Sequence, residues 1–363
     1  MSRVNTHQHW VVFCRVVDNH GDLGVCWRLA TQLAQRHKQV TLYVDDASAL
    51  TWMASEGCEG VKVLAWPDDN AAFAPYAPAD VVIEAFGCDI PLSFQAAMAA
   101  WPQAPVWINL EYFCAEAAAM RNHGLPSPVM SGPAKGMTKW FYYPGLTEDS
   151  GGVMGGLSAM TNSGMTNSGM TNSGNTGSDG KHVSALKISL FCYEPTSLGL
   201  WLEQLNELPQ SVVLSVTAGR ATQAVRQVLK TWSEPRKFVI EKLPYLSHPG
   251  FDAMLAAHDL NLVRGEDSLI RAIWAGKAFV WQIYPQDDGV HHTKLEAFLK
   301  ATHAPDVVVQ AHLAWNADQA TPLPQLTPSH MATWTAWAQA LQQRLQAQTD
   351  LVSRLESFVS THG

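Results

Sequence analysis

Asp18-Asn19-His20-Gly21-Asp22-Leu23-Gly24 directly follows the first apolar run of the chain. Trp10 to Val17 reads as a buried strand, and Val25 to Arg36 reads as an amphipathic helix. Two carboxylates and two glycines therefore sit at the carboxyl end of a strand and the mouth of a helix, where open α/β sheets bind ligands. Gly21-x-x-Gly24 lacks the full G-x-G-x-x-G, and the adjacent acids would repel a phosphate. This turn points to chemistry rather than to simple cofactor binding.

The same pattern repeats outward from that turn. Strands are predicted at 40–44, 61–64, 81–85 and 106–110, with helices at 47–55, 92–100 and around 115–120. Gly151 to Gly180 is rich in Gly, Ser, Asn and Thr, and carries Met160-Thr-Asn-Ser-Gly164 three times in succession. Such a polar repeat buries too little to offset its ordering entropy, so it reads as a flexible linker. Alternation then resumes, with strands at 186–193, 212–217, 238–240, 260–263 and 279–283. Helices are predicted at 198–205, 221–232, 252–257, 268–275 and 292–300, and a long amphipathic stretch runs from Ser329 to Phe358.

The reading divides the chain into an N-terminal half (1–150), a linker (151–182), a C-terminal half (183–328) and a terminal helix (329–363) able to cross back. Two Rossmann-like α/β domains facing each other across a cleft describe a GT-B glycosyltransferase.

Composition fits a large, well-buried enzyme. Of 363 residues, 47% are hydrophobic and only 15% charged, which suits two cores rather than one. A net charge of −8 argues against a nucleic-acid surface. The six cysteines are scattered without a C-x-x-C, as expected of buried thiols in a reducing compartment. The polar start of the chain and the absence of a membrane-length apolar run predict a cytoplasmic protein without a membrane partner.

A second loaded segment runs from Leu262 to Lys277. A strand ends near Arg264 and a helix starts at about Ser268, so free N–H groups, the Ser268 hydroxyl and the helix dipole form an anion site. Arg264 and Arg271 add positive charge or form structural ion pairs, and Glu266 is placed to bond a sugar hydroxyl. Asp267 and Ser268 equally fit a helix cap.

Longer motifs carry a family resemblance. Asp18-Asn-His-Gly-Asp22-Leu-Gly-Val-Cys-Trp27-Arg28-Leu resembles the N-terminal signature of the EarP family, the protein-arginine rhamnosyltransferases of elongation factor P. Arg264-Gly-Glu-Asp-Ser268, Trp274-Ala-Gly-Lys277 and Val280 to Gln286 resemble its C-terminal signature. Asn109-Leu-Glu-Tyr112, Phe141-Tyr-Tyr-Pro-Gly145 and Ser189-Leu-Phe-Cys-Tyr193 extend the likeness between them. The resemblance implies a metal-free, inverting transfer of rhamnose from dTDP-β-L-rhamnose to an arginine of elongation factor P, with no cofactor.

By motif position it implies that Asp22 is the catalytic carboxylate and Asp18 its partner in acceptor binding or loop structure. Glu266 becomes the acid near the donor sugar, and Gly265, Asp267 and Ser268 face the diphosphate with Arg264 and Arg271. Tyr193 matches an aromatic at the phosphates, while Phe191 and Tyr245 wall the thymine. Where the family has a glutamine beside the base, this chain has His248.

The chemistry is coherent. Guanidinium stays protonated and is a poor nucleophile, so it must be oriented and relieved of a proton, and carboxylates do both. Asp18 and Asp22 share those roles. Asp287-Asp288 and His291-His292 superficially suggest a metal, but their place in the motif makes them a donor-side loop. Two other readings remain: a GT-B enzyme with a small-molecule acceptor, and a nucleotide-sugar-binding protein without catalysis. Asp22 and Glu266 argue against the latter.

Overall fold

The computed structural model describes residues 8–17, 20–67, 76–156, 185–233, 235–286 and 289–363. Asp18 and most of the repeat-bearing linker lie outside these residues, as do Asp287 and Asp288.

The first half is built on β1 (His9–Cys14), β2 (Gln39–Val44), β3 (Val61–Ala65), β4 (Val81–Ala85), β5 (Val106–Leu110), β6 (Pro126–Pro128) and β7 (Thr138–Tyr142). These form one sheet in the order β3-β2-β1-β4-β5-β7-β6. All neighbours are parallel except β6 and β7. Strands β1, β4 and β5 are buried on both faces and mostly apolar, Glu84 and Asn109 being the polar exceptions in β4 and β5. The second half repeats the plan with β8 (Leu186–Leu190), β9 (Val212–Val216), β10 (Val239–Lys242), β11 (Leu260–Arg264) and β12 (Ala278–Gln282), ordered β10-β9-β8-β11-β12 and wholly parallel. Each sheet reverses direction beside its first strand, between β1 and β4 and between β8 and β11. Crevices for ligands open at such switch points.

Helices α1 (Gly21–Gln35), α2 (Leu50–Met53), α3 (Leu92–Ala100) and α4 (Ala117–Met120) belong to the first half. The second half carries α5 (Leu198–Glu207), α6 (Arg220–Leu229), α7 (His248–Ala257), α8 (Gly265–Ala275), α9 (Val290–Ala301) and α10 (Asp306–Trp315).

Both loaded helices begin earlier than their apolar periodicity implies. Helix α1 starts at Gly21, so Asp22 lies in its first turn rather than in a preceding loop. Helix α8 starts at Gly265, whose φ of 69° turns the chain out of β11 with no intervening loop. Ser268 is thus inside the helix, where its hydroxyl donates to the Arg264 carbonyl instead of capping.

The predicted single terminal helix is two: α11 (Pro328–Gln346) and α12 (Leu351–His362). Asp350 breaks the stretch and caps α12 by accepting from the Ser353 N–H at 3.0 Å. Helix α11 packs Trp334, Trp337, Ala338 and Leu341 into the second half's core. Helix α12 crosses back and inserts Leu351, Val352, Leu355 and Val359 into the first half's core. Arg36 at the end of α1 clamps it by ion pairs to Asp350 at 2.9 Å and Glu356 at 2.8 Å. Residues 151–154, at the start of the predicted linker, are buried against this joint rather than extended in solvent. Among the described residues no helix is long and apolar enough to cross a membrane.

The fully buried Leu355 is the simplest probe of that crossing. Leu355→Ala should destabilise the protein by about 2–5 kcal/mol in urea unfolding. A change within experimental error would show that α12 is not part of the first half's core.

Candidate active site

The two helices that carry the acidic motifs face each other across the cleft. A Cβ placed on Gly24 of α1 would lie 3.4 Å from Asp267 Oδ2 and 3.6 Å from His248 Nε2, so only a small residue lets the halves come this close. Arg28, one turn further along α1, is 3% exposed and donates to Asp267 Oδ1 at 2.6 Å. Its other terminal nitrogen reaches the Gly155 carbonyl at 3.3 Å, which also accepts from Gln32 at 3.1 Å. Arg271 approaches the second Asp267 oxygen at 3.4 Å and holds Asp252 at 2.6 Å.

Burial works against ionisation of Asp267, yet Arg28 and Arg271 outweigh it and hold the carboxyl down at about 2. Asp267 therefore carries a charge already neutralised by two arginines. The backbone N–H groups in the first turn of α8, at the positive end of its dipole, suit an anion.

The cleft contains a cavity of about 300 Å³. The first half supplies His20, Gly21, Trp52 and Met53 to it. The second half supplies Phe191, Thr217, Gly219, Tyr245, His248, Phe251 and the whole Arg264–Ser268 turn, with Arg271. Polar groups converge on the α8 terminus while aromatic groups line the far wall, as a site for a charged, ring-bearing ligand requires. The half-exposed Tyr245 meets Trp52 across the cleft at 4.9 Å between ring centroids. Trp52 is a cavity residue that periodicity alone could not distinguish from core packing.

Most predicted residues gather here, but not all in the expected way. Arg264 stacks on both Phe191 and Tyr193, 4.6 Å from each ring. Tyr193 is buried behind that guanidinium, outside the cavity lining, so its ring acts on the cavity through Arg264. His248 is buried at the start of α7, its carbonyl accepting from Arg271. Burial and the nearby Arg271 and Arg28 push its imidazole down to about 3, against the pull of Asp267. Asp18 lies outside the described residues.

The two remaining acids are held by neighbouring residues of one segment. Asp22 is 2% exposed, and its Oδ2 accepts from the Val17 N–H at 2.8 Å while its Oδ1 accepts from the Tyr112 hydroxyl at 3.1 Å. Glu266 accepts from the Phe113 N–H at 2.8 Å. Asp22 comes from the first half and Glu266 from the second, so residues 112–113 tie the acids together across the cleft. Phe113 packs its ring against the second half's core. The signal for this segment was present in Asn109-Leu-Glu-Tyr112, at the carboxyl end of β5, although no role attached to it.

Among the described residues, His291, His292 and Asp318 form the one group with metal-ligating spacing. The Nδ1 of His291 already accepts from the Gln286 N–H at 3.2 Å, and Asp318 is largely exposed.

A family model described as "Elongation-Factor P (EF-P) rhamnosyltransferase EarP" matches residues 10–360. A protein-arginine rhamnosyltransferase of Pseudomonas putida is 40% identical over 335 residues, spanning 85% of this chain and 87% of the relative. A solved structure described as the basis for EarP-mediated arginine glycosylation of translation elongation factor EF-P is 25% identical, with a TM-score of 0.61, covering 97% of this chain and 99% of the other. The glycosyltransferase VinC, solved with dTDP, shares the fold at 12% identity and a TM-score of 0.54, covering 98% and 100% of the two chains. The structural neighbours are GT-B glycosyltransferases, and the architecture read from the sequence is the one observed.

The buried imidazole sets an acid limit on stability. In the unfolded chain His248 takes a proton below about 6.5, while in the folded protein it resists protonation down to about 3. Its contribution is therefore complete above pH 6.5 and is progressively lost as pH falls through that window. His248→Gln should remove about one proton from the slope of unfolding free energy against pH between 6 and 4.5, or about 1.4 kcal/mol per pH unit. His123 and His312, also held low by burial, remain to give the residual slope. An unchanged slope would mean that His248 protonates freely in the native state.

Proposed function

The chain belongs to the EarP family of EF-P rhamnosyltransferases and is a glycosyltransferase; from that premise we propose that it transfers rhamnose from dTDP-β-L-rhamnose to an arginine side chain of EF-P, with inversion at the anomeric carbon. The observation that best supports this reading is the pair Asp22 and Glu266, which come from opposite halves and are held by the adjacent residues Tyr112 and Phe113.

In the proposed reaction the acceptor guanidinium lies against Asp22. A carboxylate binds a guanidinium through two parallel hydrogen bonds, which localises its charge and frees electron density on one nitrogen. That nitrogen attacks C1 of the sugar as the bond from C1 to the diphosphate oxygen breaks. The proton lost from nitrogen passes to the carboxylate, and the diphosphate leaves with the electron pair. Asp18, three residues before α1 in the sequence, is proposed to share acceptor binding.

The leaving charge meets the backbone N–H groups in the first turn of α8 and Arg264, whose guanidinium stacks on Phe191 and Tyr193. These groups supply positive potential at the diphosphate, and we propose that no metal takes part. Glu266 is proposed to accept from a sugar hydroxyl. Phe191, Phe251 and Tyr245 offer apolar faces for the base. Binding of donor and acceptor to different halves makes transfer depend on the closed cleft.

Intact-mass analysis of EF-P, incubated with this protein and dTDP-β-L-rhamnose, tests the reading. One deoxyhexose should be gained on an arginine, with or without EDTA, and Asp22→Asn should lower the rate by about 100-fold or more. No gain with a verified acceptor and donor would overturn the reading. Transfer to free arginine at a similar rate would favour a small-molecule acceptor, and loss of transfer in EDTA would overturn only the metal-free step.

A further inference from the structure

The first half gives the cavity a ring of its own. Trp52 stands on the short helix α2, between Ala49 and Met53, which are buried in the first half's core and hold the helix in place. The indole is half-buried, packing against that core on one side and lining the cavity on the other. Among the described residues it is the one phenylalanine, tyrosine or tryptophan ring that the first half contributes there. It stands between two other rings. His20, just before α1, meets it nearly at a right angle, 5.2 Å between centroids, and Tyr245 of the second half meets it at 4.9 Å with planes 37° apart. Trp52 thus belongs to the aromatic end of the cavity, although it comes from the opposite half.

The rings of the second half leave room for it. Arg264 lies over Phe191 at 4.6 Å, and Arg271 lies over Phe251 at 5.0 Å. Phe191 and Phe251 meet each other nearly at a right angle, 5.3 Å between centroids. Tyr245, by contrast, is 54% exposed even with Trp52 against it. A nucleobase is a flat plate with two faces to withdraw from water, and rings supplied from one side cover only one of them.

We propose that Trp52 is a donor-binding residue: its indole, reaching over from the first half, covers the face of the donor's base that the second half leaves open. This rests on the reading of the donor as a dTDP sugar. Every base offers a π-face, so stacking on Trp52 adds affinity for a base without choosing among bases. The base takes no part in bond making at C1, and its contact with the indole is the same before and during transfer. Such a contact strengthens donor binding and leaves the barrier from bound donor unchanged. Its loss falls on the KM for the donor rather than on kcat.

Calorimetry with dTDP and steady-state transfer to EF-P, both on the full chain, test this. Trp52→Ala should weaken dTDP binding about fivefold or more and raise the KM for dTDP-β-L-rhamnose by the same factor. The kcat at saturating donor and the KM for EF-P should stay within about twofold of the wild type. Trp52→Leu keeps an apolar contact with the first half's core but no ring, and should show the same loss. Trp52→Phe keeps a ring and should recover most of the affinity. Wild-type affinity for dTDP in Trp52→Ala and Trp52→Leu would overturn the inference. So would a fall in kcat equal to the loss of affinity, which would show the indole acting through the shape of the cleft rather than on the base. Wild-type enzyme that does not bind dTDP would instead overturn the proposed donor. Wild-type enzyme that binds dTDP yet leaves EF-P unmodified would overturn the proposed acceptor, and calorimetry would still decide the role of Trp52.

Discussion

The buried pair between Arg28 and Asp267 fixes the relation of the two halves, and most features of the site follow from it. Both side chains are withdrawn from water, with relative exposures of 4% and 13%. Removing two charges from solvent costs several kcal/mol per ion, so such a pair is a poor source of net stability. Its value lies in geometry. Arg28 stands on the helix whose first turn carries Asp22, and Asp267 stands one residue beyond Glu266 in the first turn of α8. Locking these side chains sets the register of one acidic helix against the other. The same arginine reaches the Gly155 carbonyl, so the start of the connector is tied into the joint.

The arrangement also resolves an electrostatic difficulty in the sequence. Glu266 and Asp267 stand at the very helix terminus where a diphosphate would be received. Two adjacent carboxylates there would oppose an anion. Asp267 is neutralised from both sides by Arg28 and Arg271, and Glu266 is drawn toward the Phe113 N–H. What remains directed at the cavity is the positive end of the helix. Arg271 is in turn steadied by Asp252 and by the ring face of Phe251, 5.0 Å away. The aromatic wall and the charge network are therefore one structure.

Much of this was legible in the chain. Apolar runs marked nearly every strand of the two sheets, because parallel strands covered on both faces are almost wholly hydrophobic. The start of α1, with Asp22, and the Arg264–Ser268 segment both lie at sheet switch points, as their position after strands implied. Periodicity misplaced the starts of α1 and α8, since their first turns carry polar site residues and glycine rather than core side chains. Strands β6 and β7 and helix α10 escaped notice for related reasons. The first is short and proline-bounded, the second is half-buried, and the third is too uniformly apolar to show a face. The roles of Arg28, Trp52 and Phe113 depend on contacts between halves, with residues more than a hundred positions away, and Tyr112 meets Asp22 across most of the first half. Local pattern does not encode such pairings.

The return of α12 to the first half has a consequence for synthesis. The ribosome delivers β1 to β7 early, yet their core takes in Leu351, Val352, Leu355 and Val359, which follow the whole second half in sequence. Domains generally fold in the order they emerge. Here the earlier half cannot close until the later one has been made and its last helix released. The nascent first half must wait with an apolar groove uncovered, so the order of completion reverses the order of translation.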